Sequence, residues 1–274
     1  MKSEYPVARV SKELGISRQA LYKNSTSKVR QFYHRKDDEK VLALIKEELL
    51  KRSTYGYKRI TAMVNRKLEK PINRKRVYRL MRMHKLLLPK NGILRPNHAG
   101  TGKVMVLYSN TRWCSDAFEI QCFNREKVRV AFVLDCKDRQ AISYIASKEP
   151  LTKEYIQTLM MQAVENRFGA LHTPRAIQFL SDRGSIYMAK ETKQVARHLG
   201  LDPCFTRAYS PESNGMAEAF VKTFKRDYVY TSDCESADQV IAKLKEWFDD
   251  YNQAPHSALD YKSPLEYLKI INQP

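Results

Sequence analysis

The 274-residue sequence lacks the features of a membrane or secreted protein. No uninterrupted apolar run approaches the roughly 18 residues that a membrane-spanning helix needs. The start, MKSEYPVARV, has no apolar signal-peptide core. The five cysteines are odd in number and form no CxxC pair, so neither a disulfide framework nor a zinc knuckle is indicated. We therefore expect a cytoplasmic protein whose cysteines are reduced and mostly buried.

Acidic residues are scarce in the first part of the chain. The net charge is +19, yet residues 111–274 hold 22 basic and 22 acidic residues. Residues 1–110 hold 27 Lys and Arg against 8 Asp and Glu, so the whole excess lies there. A concentrated positive field suits a polyanion, either a nucleic acid or a membrane surface. A solvated basic face without a partner is the plainer alternative.

Two helical units occupy this basic part. In residues 5–23 apolar residues recur at helical spacing and Gly15 breaks the pattern, which predicts a helix, a tight turn and a second helix. The second helix would present Arg18 and Lys23, whose side chains can reach phosphates and base edges in a major groove. A plain packing module is the alternative. We assign residues 1–36 to a helix-turn-helix-like segment.

The second unit contains three predicted helices, at 37–53, 57–69 and 73–87. The last helix is amphipathic, with one apolar face and one basic face predicted to be exposed. We therefore assign residues 37–90 to a basic three-helix DNA-binding domain. Residues 91–110 carry Pro, Gly and Asn without a sustained period, which predicts an interdomain linker. The basic side chains predicted to contact DNA are Arg74, Lys75, Arg76 and Arg79.

From Trp113 onward the pattern changes to strands. Three β-prone runs separated by short turns predict an antiparallel meander. The following elements alternate between helix and strand: helix 152–168, strand 176–181, helix 188–199 and a strand near 203–206. A further helix lies in the stretch SPESNGMAEAFVKTFKRD. This order predicts an α/β domain over residues 111–274, a mixed five-stranded sheet flanked by helices.

Three acids stand at positions suited to chemistry. Asp116 lies in the first strand, Asp182 directly follows a buried strand, and Glu218 lies on the late helix. Three carboxylates brought together repel one another, and a divalent cation makes such a cluster tolerable; oxygen ligands suit Mg²⁺ or Mn²⁺. Taken singly, each acid has the plainer interpretation of a cap or a solvated side chain. We assign the nearby Asp135 and Asp138 to turn and strand-edge roles.

Glu218 is predicted to share one face of its helix with two lysines. At 100° per residue, Lys222 lies about 40° and Lys225 about 20° from it around the axis. The plainer interpretation is an ordinary Glu–Lys pair on a helix surface. Beside a metal site, however, the lysines would hold DNA phosphates. We expect Tyr209 and Asn214 in the preceding loop to contact DNA as well.

Several motifs carry a family resemblance. WCSD, FLSDRGSIY and SPESNGMAEAFVKTFKRDY, with 35 residues between Asp182 and Glu218, resemble the DD(35)E signature of retroviral-integrase-like transposases. DYNQAPHSALDYKSPLEYL resembles the tail of the same domain, and TYGYKRI with NRKRVYRLM resembles its helical predecessor. The resemblance covers nearly the whole chain. It is strongest to insertion-sequence transposases whose second reading frame encodes the catalytic part.

The resemblance implies a fold, a reaction and a site. The fold would be a ribonuclease H-like, integrase-like sheet preceded by all-α helix-turn-helix-like units. Asp116, Asp182 and Glu218 match the metal-binding catalytic triad, and Lys225 matches its basic companion. The implied reaction is cleavage and transfer of DNA strands at the ends of a mobile element, with two Mg²⁺ or Mn²⁺ ions. The paired His and paired Cys of an integrase zinc module are missing, so none is implied.

The implied partner is double-stranded DNA, both the terminal repeats of the element and the target. A homo-oligomer on DNA, an upstream reading-frame product joined to this chain, and association with the nucleoid are further implications. Two alternatives stay open. A DNA-binding regulator with a silent sheet domain would not need all three acids. A ribonuclease H-type nuclease for RNA–DNA hybrids would not need two helix-turn-helix-like units.

Overall fold

The computed structural model describes residues 7–15, 33–89, 106–206 and 214–271. The chain divides into two compact units, residues 1–40 and 41–274. In the first unit, helix α1 spans Val7–Glu13, and Gly15 adopts a positive φ of 60° in the turn after it. The predicted second helix, with Arg18 and Lys23, lies outside the described residues. Within the described residues, no helix is long and apolar enough to cross a membrane.

Three helices precede the sheet: α2 (Asp38–Lys51), α3 (Tyr57–Arg66) and α4 (Arg74–Met83). The start of α4 is fixed by Asn73, whose side chain accepts a hydrogen bond from the Lys75 amide at 2.8 Å. Apolar side chains of the three helices meet in one core, together with Ala254 from near the C-terminus. The helices therefore pack onto the sheet domain as part of the second unit. The most completely buried members of this core are Ile45, Ile60, Val64, Val77 and Met81.

The sheet has five strands in the order β3-β2-β1-β4-β5. They are β1 (Arg112–Gln121), β2 (Lys127–Asp135), β3 (Ala141–Ser147), β4 (Ile177–Ser181) and β5 (Leu201–Phe205). Strands β1, β2 and β3 form an antiparallel meander. Strand β4 pairs parallel with both β1 and β5. The predicted mixed five-stranded sheet is confirmed.

Helices cover both faces of the sheet. On one face, α5 (Lys153–Phe168), α6 (Ser185–Met188) and α7 (Lys190–His198) contribute to a core that includes Trp113 and Phe179. On the other face, α8 (Gly215–Phe224) and α9 (Ala237–Gln253) pack through aromatic rings. The Phe220 ring lies 4.3 Å from that of Phe132, and the Phe224 ring lies 4.7 Å from that of Phe248. A last helix, α10, spans Pro264–Ile271.

The exposed basic face predicted for α4 is partly wrong. Arg76 and Arg79 are 7% and 6% exposed, whereas Arg74 and Lys75 are exposed. The buried side of α4 is wider than its apolar stripe and includes both arginines. The aliphatic part of an arginine side chain can pack against neighbouring residues. The predicted exposure of Arg76 and Arg79 is therefore wrong, whereas that of Arg74 and Lys75 is confirmed. The predicted linker lies mostly outside the described residues.

Asp135 and Asp138 have the turn and strand-edge roles expected of them. Both are fully buried at the end of β2. Asp135 accepts hydrogen bonds from the amides of Lys137 at 2.7 Å, Asp138 at 3.1 Å and Asn110 at 2.7 Å. Asp138 pairs with Arg167 from α5. All five cysteines are free and four of them are buried, as predicted.

Two glycines with positive φ allow a stability test. An added Cβ at Gly200, where φ is 82°, would lie 2.1 Å from the buried Thr173 hydroxyl oxygen. At Gly169, where φ is 64°, an added Cβ would meet nothing within 4 Å. We expect Gly169→Ala to cost about 1–2 kcal/mol from backbone strain. Gly200→Ala should cost about 2–4 kcal/mol, because overpacking adds to the strain. Equal losses of stability in urea denaturation would contradict the crowding expected at Gly200.

Candidate active site

The pairing of β1 with β4 brings two of the three predicted acids together. Arg112, Trp113 and Cys114 lie opposite Gln178, Phe179 and Leu180. Continued by two residues, the same parallel register sets Asp116 opposite Asp182. Neighbouring strands lie about 4.8 Å apart. Asp116 lies within β1 and Asp182 directly follows β4, so the continued register brings the two residues to neighbouring positions at the carboxyl end of β4.

Both acids belong to the sheet face that α8 covers. Side chains alternate between faces along a strand, and Cys114 and Phe118, on either side of Asp116 in this alternation, belong to the core beneath α8 and α9. Leu180, two residues before Asp182, packs against the same core. The alternation thus directs Asp116 and Asp182 toward the helix that carries Glu218.

Asp182 is held by the turn that follows β4. Its Oδ1 accepts a hydrogen bond from the Gly184 amide at 3.0 Å. A Cβ at position 184 would lie 3.0 Å from the same oxygen, which is tighter than ordinary packing. Glycine at this position therefore lets the chain turn without displacing the carboxylate, which remains exposed to solvent.

Glu218 lies on the exposed edge of α8. Ala217, Phe220 and Phe224 are buried and fix the helix to the sheet. Glu218 falls outside this buried stripe and is exposed. Its charge nevertheless acts on Asp116, as does the charge of Asp182. The three predicted acids therefore lie close enough for Asp182 and Glu218 to affect the pKa of Asp116.

The pKa of the Asp116 carboxyl group is raised by its surroundings. Burial, and then the negative charges of Asp182 and Glu218, raise its pKa to about 6, although a hydrogen bond from the Ala117 amide at 2.8 Å opposes the shift. A nearby positive charge would stabilise the ionised form of this carboxyl group, which burial and the neighbouring acids disfavour. In the described residues, no three His, Cys, Asp or Glu side chains already converge closely enough to hold a metal ion.

The residues beneath the acids were not identified from the sequence. Ser115 and Tyr187 are both buried, and their hydroxyl groups lie 2.9 Å apart. Burial raises the pKa of Tyr187 well above its ordinary value, so it stays neutral. Asn214, predicted to contact DNA, is instead 6% exposed and donates to the Ser115 carbonyl at 3.4 Å. It ties the start of α8 to β1 beside Asp116. Tyr187 is the last residue of the motif FLSDRGSIY, so this motif could have identified it from the sequence.

The two lysines near Glu218 differ in their surroundings. Lys222 is exposed, as predicted. Lys225 is half-buried, and its Nζ lies 5.6 Å from the centre of the Phe118 ring. Phe118 is two residues beyond Asp116 on the same face of β1, so the ammonium group reaches the strand that carries an acid. At Lys225 the helix widens into a π-helix, Lys225–Val229. Tyr209 lies outside the described residues.

A basic groove lies between the helical part and the C-terminal tail. It has a volume of about 510 Å³ and is lined by both segments. Arg66 of α3 links the helical part to the C-terminal tail: it donates to Glu266 at 2.6 Å and to the Gln253 carbonyl at 3.0 Å. Of the predicted contacts, Arg74 lines this groove. Lys58 and Lys262 also line it, and among the described residues none of the three cations has an ion pair.

Comparison with protein families gives two kinds of domain. An integrase core domain matches residues 108–211, and a second integrase core domain family matches residues 199–264. An HTH-like domain matches residues 36–92. The first two ranges together cover the sheet and the helix that carries Glu218, and the third covers helices α2 to α4.

Individual relatives agree with these families. The transposase InsD for insertion element IS2A/D/F/H/I/K of Escherichia coli is 46% identical over 239 residues, which span 85% of this chain and 79% of the relative. The same figures hold for the transposase InsD for insertion element IS2 on F plasmid from Escherichia coli (strain K12). A chain of the simian T-cell lymphotropic virus intasome is 17% identical, with a TM-score of 0.51 over 84% of this chain and 74% of that chain. The ribonuclease H-like fold is thereby confirmed, and the chain belongs to the insertion-sequence transposases that carry an integrase core domain.

Proposed function

We propose that Asp116, Asp182 and Glu218 are the catalytic acids with which this transposase cleaves and transfers DNA strands at the ends of its element. The observation that carries the proposal is the β1–β4 register, which pairs Cys114 with Leu180 on the face covered by α8; continued by two residues, it supports a position for Asp116 beside Asp182. The raised pKa of Asp116, caused in part by Asp182 and Glu218, supports a third acid close enough to act on the first.

The donor set fits divalent metal ions. Three carboxylates supply hard oxygen ligands of the kind that Mg²⁺ and Mn²⁺ prefer. The unfavourable ionisation of Asp116 is what a bound cation would relieve. Asp116, Asp182 and Glu218 would hold two ions. When bound, such ions lower the pKa of an attacking water or 3′-hydroxyl group and stabilise the leaving oxygen.

The remaining residues of the site act on the DNA strand. Lys222, exposed on α8, is proposed to contact a phosphate near the scissile bond. Lys225 is closer to β1 and is proposed to orient the reacting phosphate beside Asp116. No covalent intermediate with the protein is needed in this type of phosphoryl transfer.

The DNA duplex is proposed to approach over the HTH-like helices. The exposed basic residues Arg74 and Lys75 lie at the start of α4, where an HTH-type helix contacts the major groove. Lys58 and Lys262 extend the positive surface along the groove toward the sheet domain. Phosphate contacts of this kind position the duplex without reading its sequence. A homo-oligomer on two element ends, and fusion to an upstream reading-frame product, complete the proposal.

Binding and chemistry are expected to separate in two variants. Lys225→Ala should lower the single-turnover rate of strand joining about tenfold or more with little loss of affinity, because it positions one phosphate among many contacts. Arg74→Ala combined with Lys75→Ala should weaken binding and flatten its salt dependence, with the rate at saturating DNA nearly unchanged. The measurements are binding isotherms and single-turnover rates with Mg²⁺ and duplexes copied from the flanking terminal repeats. Parallel losses of rate and affinity in both variants would contradict this division of roles.

A further inference from the structure

The helix that carries Glu218 does not continue regularly. After α8, residues Lys225–Val229 form a π-helix, closed by a hydrogen bond from the Tyr230 amide to the Lys225 carbonyl at 2.8 Å. π-Helical turns are rare, and they occur frequently at functional sites. The wider turn changes the direction of every side chain that follows Lys225. It therefore needs a compensating set of contacts within the fold.

Those contacts centre on Asp227 in the middle of the π-helix. Its side chain is 3% exposed. One oxygen accepts from the Thr54 hydroxyl group at 2.6 Å, and the other accepts from Arg59 at 2.8 Å. The neighbouring Arg226 donates to both oxygens, at 2.6 and 2.7 Å. Burial alone would raise the pKa of Asp227, but the bonds from Arg226 and Thr54 and the charge of Arg59 hold it below its ordinary value.

Thr54 and Arg59 belong to the HTH-like part of the chain. Thr54 lies in the turn between α2 and α3, and Arg59 lies in the first turn of α3. The guanidinium of Arg59 also lies 4.8 Å from the centre of the Tyr55 ring. Asp227 is thus a direct, buried link between the HTH-like helices and the helix of the proposed active site.

A second link lies beside the first. Tyr228, the next residue of the π-helix, donates its hydroxyl hydrogen to Asp250 of α9 at 2.9 Å. Arg52, at the end of α2, pairs with the same carboxylate. The π-helix is consequently held from both sides, by the HTH-like helices and by α9.

The opposite end of the π-helix is Lys225, whose ammonium group lies over Phe118 on β1. Only Arg226 separates Lys225 from Asp227 in the chain. A shift of Asp227 away from Thr54 and Arg59 therefore rotates or translates the turn that begins at Lys225. In a site where placement within about 1 Å matters, such a shift lowers the rate of reaction about 10- to 100-fold.

We propose that Asp227 is a positioning residue: its bonds to Thr54 and Arg59 hold the π-helix so that Lys225 points at the strand that carries Asp116, which makes the alignment of the active site depend on the docked HTH-like helices. The inference rests on the role proposed above for Lys225. It assigns a function to a residue that lies outside the three-acid motif and touches no substrate.

The test uses the full chain with Asp227→Asn, which keeps the size of the side chain but removes its charge and one acceptor oxygen. We expect the single-turnover rate of strand joining at saturating DNA to fall about tenfold or more. The dissociation constant for DNA should change less than about twofold, because the Asp227 side chain is buried and negatively charged, unlike the exposed cations that contact phosphates. Arg59→Met breaks the same bond from the other side and should give the same split between rate and affinity. The double variant should be no slower than the slower single variant, because the Arg59–Asp227 bond is already weakened by Asp227→Asn, whose other lost contacts are to Thr54 and Arg226.

Asp249→Asn is the matched control. It is the same substitution at a carboxylate of α9 next to Asp250, but Asp249 is exposed and pairs with Lys245 at 2.6 Å on the surface of α9 rather than with the π-helix. This variant should join strands at the wild-type rate. Rates are compared at a temperature below the unfolding midpoint of every variant, so that loss of folded protein is not counted as loss of rate.

Three results would overturn the inference. They are an unchanged joining rate in Asp227→Asn, an equal loss of rate in Asp249→Asn, and additive losses in the double variant. If the role proposed for Lys225 were wrong, the result would be different: Lys225→Ala would join strands at the wild-type rate. A slow Lys225→Ala variant together with a normal Asp227→Asn variant would reject the inference alone.

Discussion

Replacing any one of Asp116, Asp182 and Glu218 by its amide should reduce both cleavage and strand transfer by at least about 10²–10³-fold. Asn and Gln match Asp and Glu in shape but carry no charge, so each variant removes one proposed metal-ligand charge with little change in packing. Affinity for DNA should stay close to that of the wild type or rise slightly, because a negative charge near the phosphates is lost. Single-turnover assays with Mg²⁺ and a filter-binding isotherm measure the two quantities.

Glu119→Gln provides the control on the same strand. Glu119 lies three residues beyond Asp116 in β1, is exposed, and pairs with Lys127 and Arg129 across the strand surface. Surface pairs of this kind contribute about 0–1 kcal/mol, so this variant should remain active and folded. If one of the three acids could be replaced without loss of turnover, that residue would be excluded from the catalytic set.

The order of the elements was predictable from the sequence because it depends on local patterns. Alternating apolar residues and short turns predicted the meander of β1 to β3, and the helical periods predicted α5 and α7. The three acids were selected together from their positions in a strand, directly after a strand and on a helix, and their catalytic role stays a prediction. The motif spacing then placed them in a family, which the comparisons confirm.

Contacts between distant parts of the chain were not predictable in this way. The parallel pairing that sets Asp116 opposite Asp182 joins residues 66 positions apart, and no local period encodes a register of that kind. The burial of Arg76 and Arg79 has the same origin, because an amphipathic pattern reports one apolar stripe and not what covers the other sides of a helix. The π-helix at Lys225 is likewise held by residues of another segment, Thr54 and Arg59.

A third long-range contact, between Arg167 and the acids at the end of β2, leads to the second large effect. Arg167→Met should lower the free energy of unfolding by about 3–5 kcal/mol, because removal of one partner leaves buried charge uncompensated. Arg167 is 7% exposed, and it pairs with the fully buried Asp138 and lies 3.7 Å from Asp135. Arg129→Met is the control; it breaks a half-exposed pair with Glu119 and should cost about 1 kcal/mol or less. Urea denaturation at constant pH measures both.

The loss in Arg167→Met should also depend on pH, with a sign that follows from Asp135. Burial and the neighbouring Asp138 carboxylate raise the pKa of Asp135 in the folded chain, and Arg167 opposes that rise. Without Arg167 the folded-state pKa rises further above the unfolded value of about 3.9. Above that value the folded state then binds more protons than the unfolded state, so stability falls as the pH increases. The deficit should therefore be largest near pH 8 and should shrink as the pH falls toward about 4.

Neutralising the acid together with its partner distinguishes this electrostatic cause from simple loss of packing. In Asp138→Asn combined with Arg167→Met, the Asp138 charge that lost its partner is gone, and with it the neighbouring charge that raises the pKa of Asp135. The double variant should consequently be more stable at pH 8 than Arg167→Met alone, and its stability should depend less on pH. If Arg167 acted mainly by filling space beside Asn110 and Gln140, to which it also donates hydrogen bonds, the two substitutions would add instead. A double variant less stable than either single variant would then assign the contact to packing rather than to the buried charges.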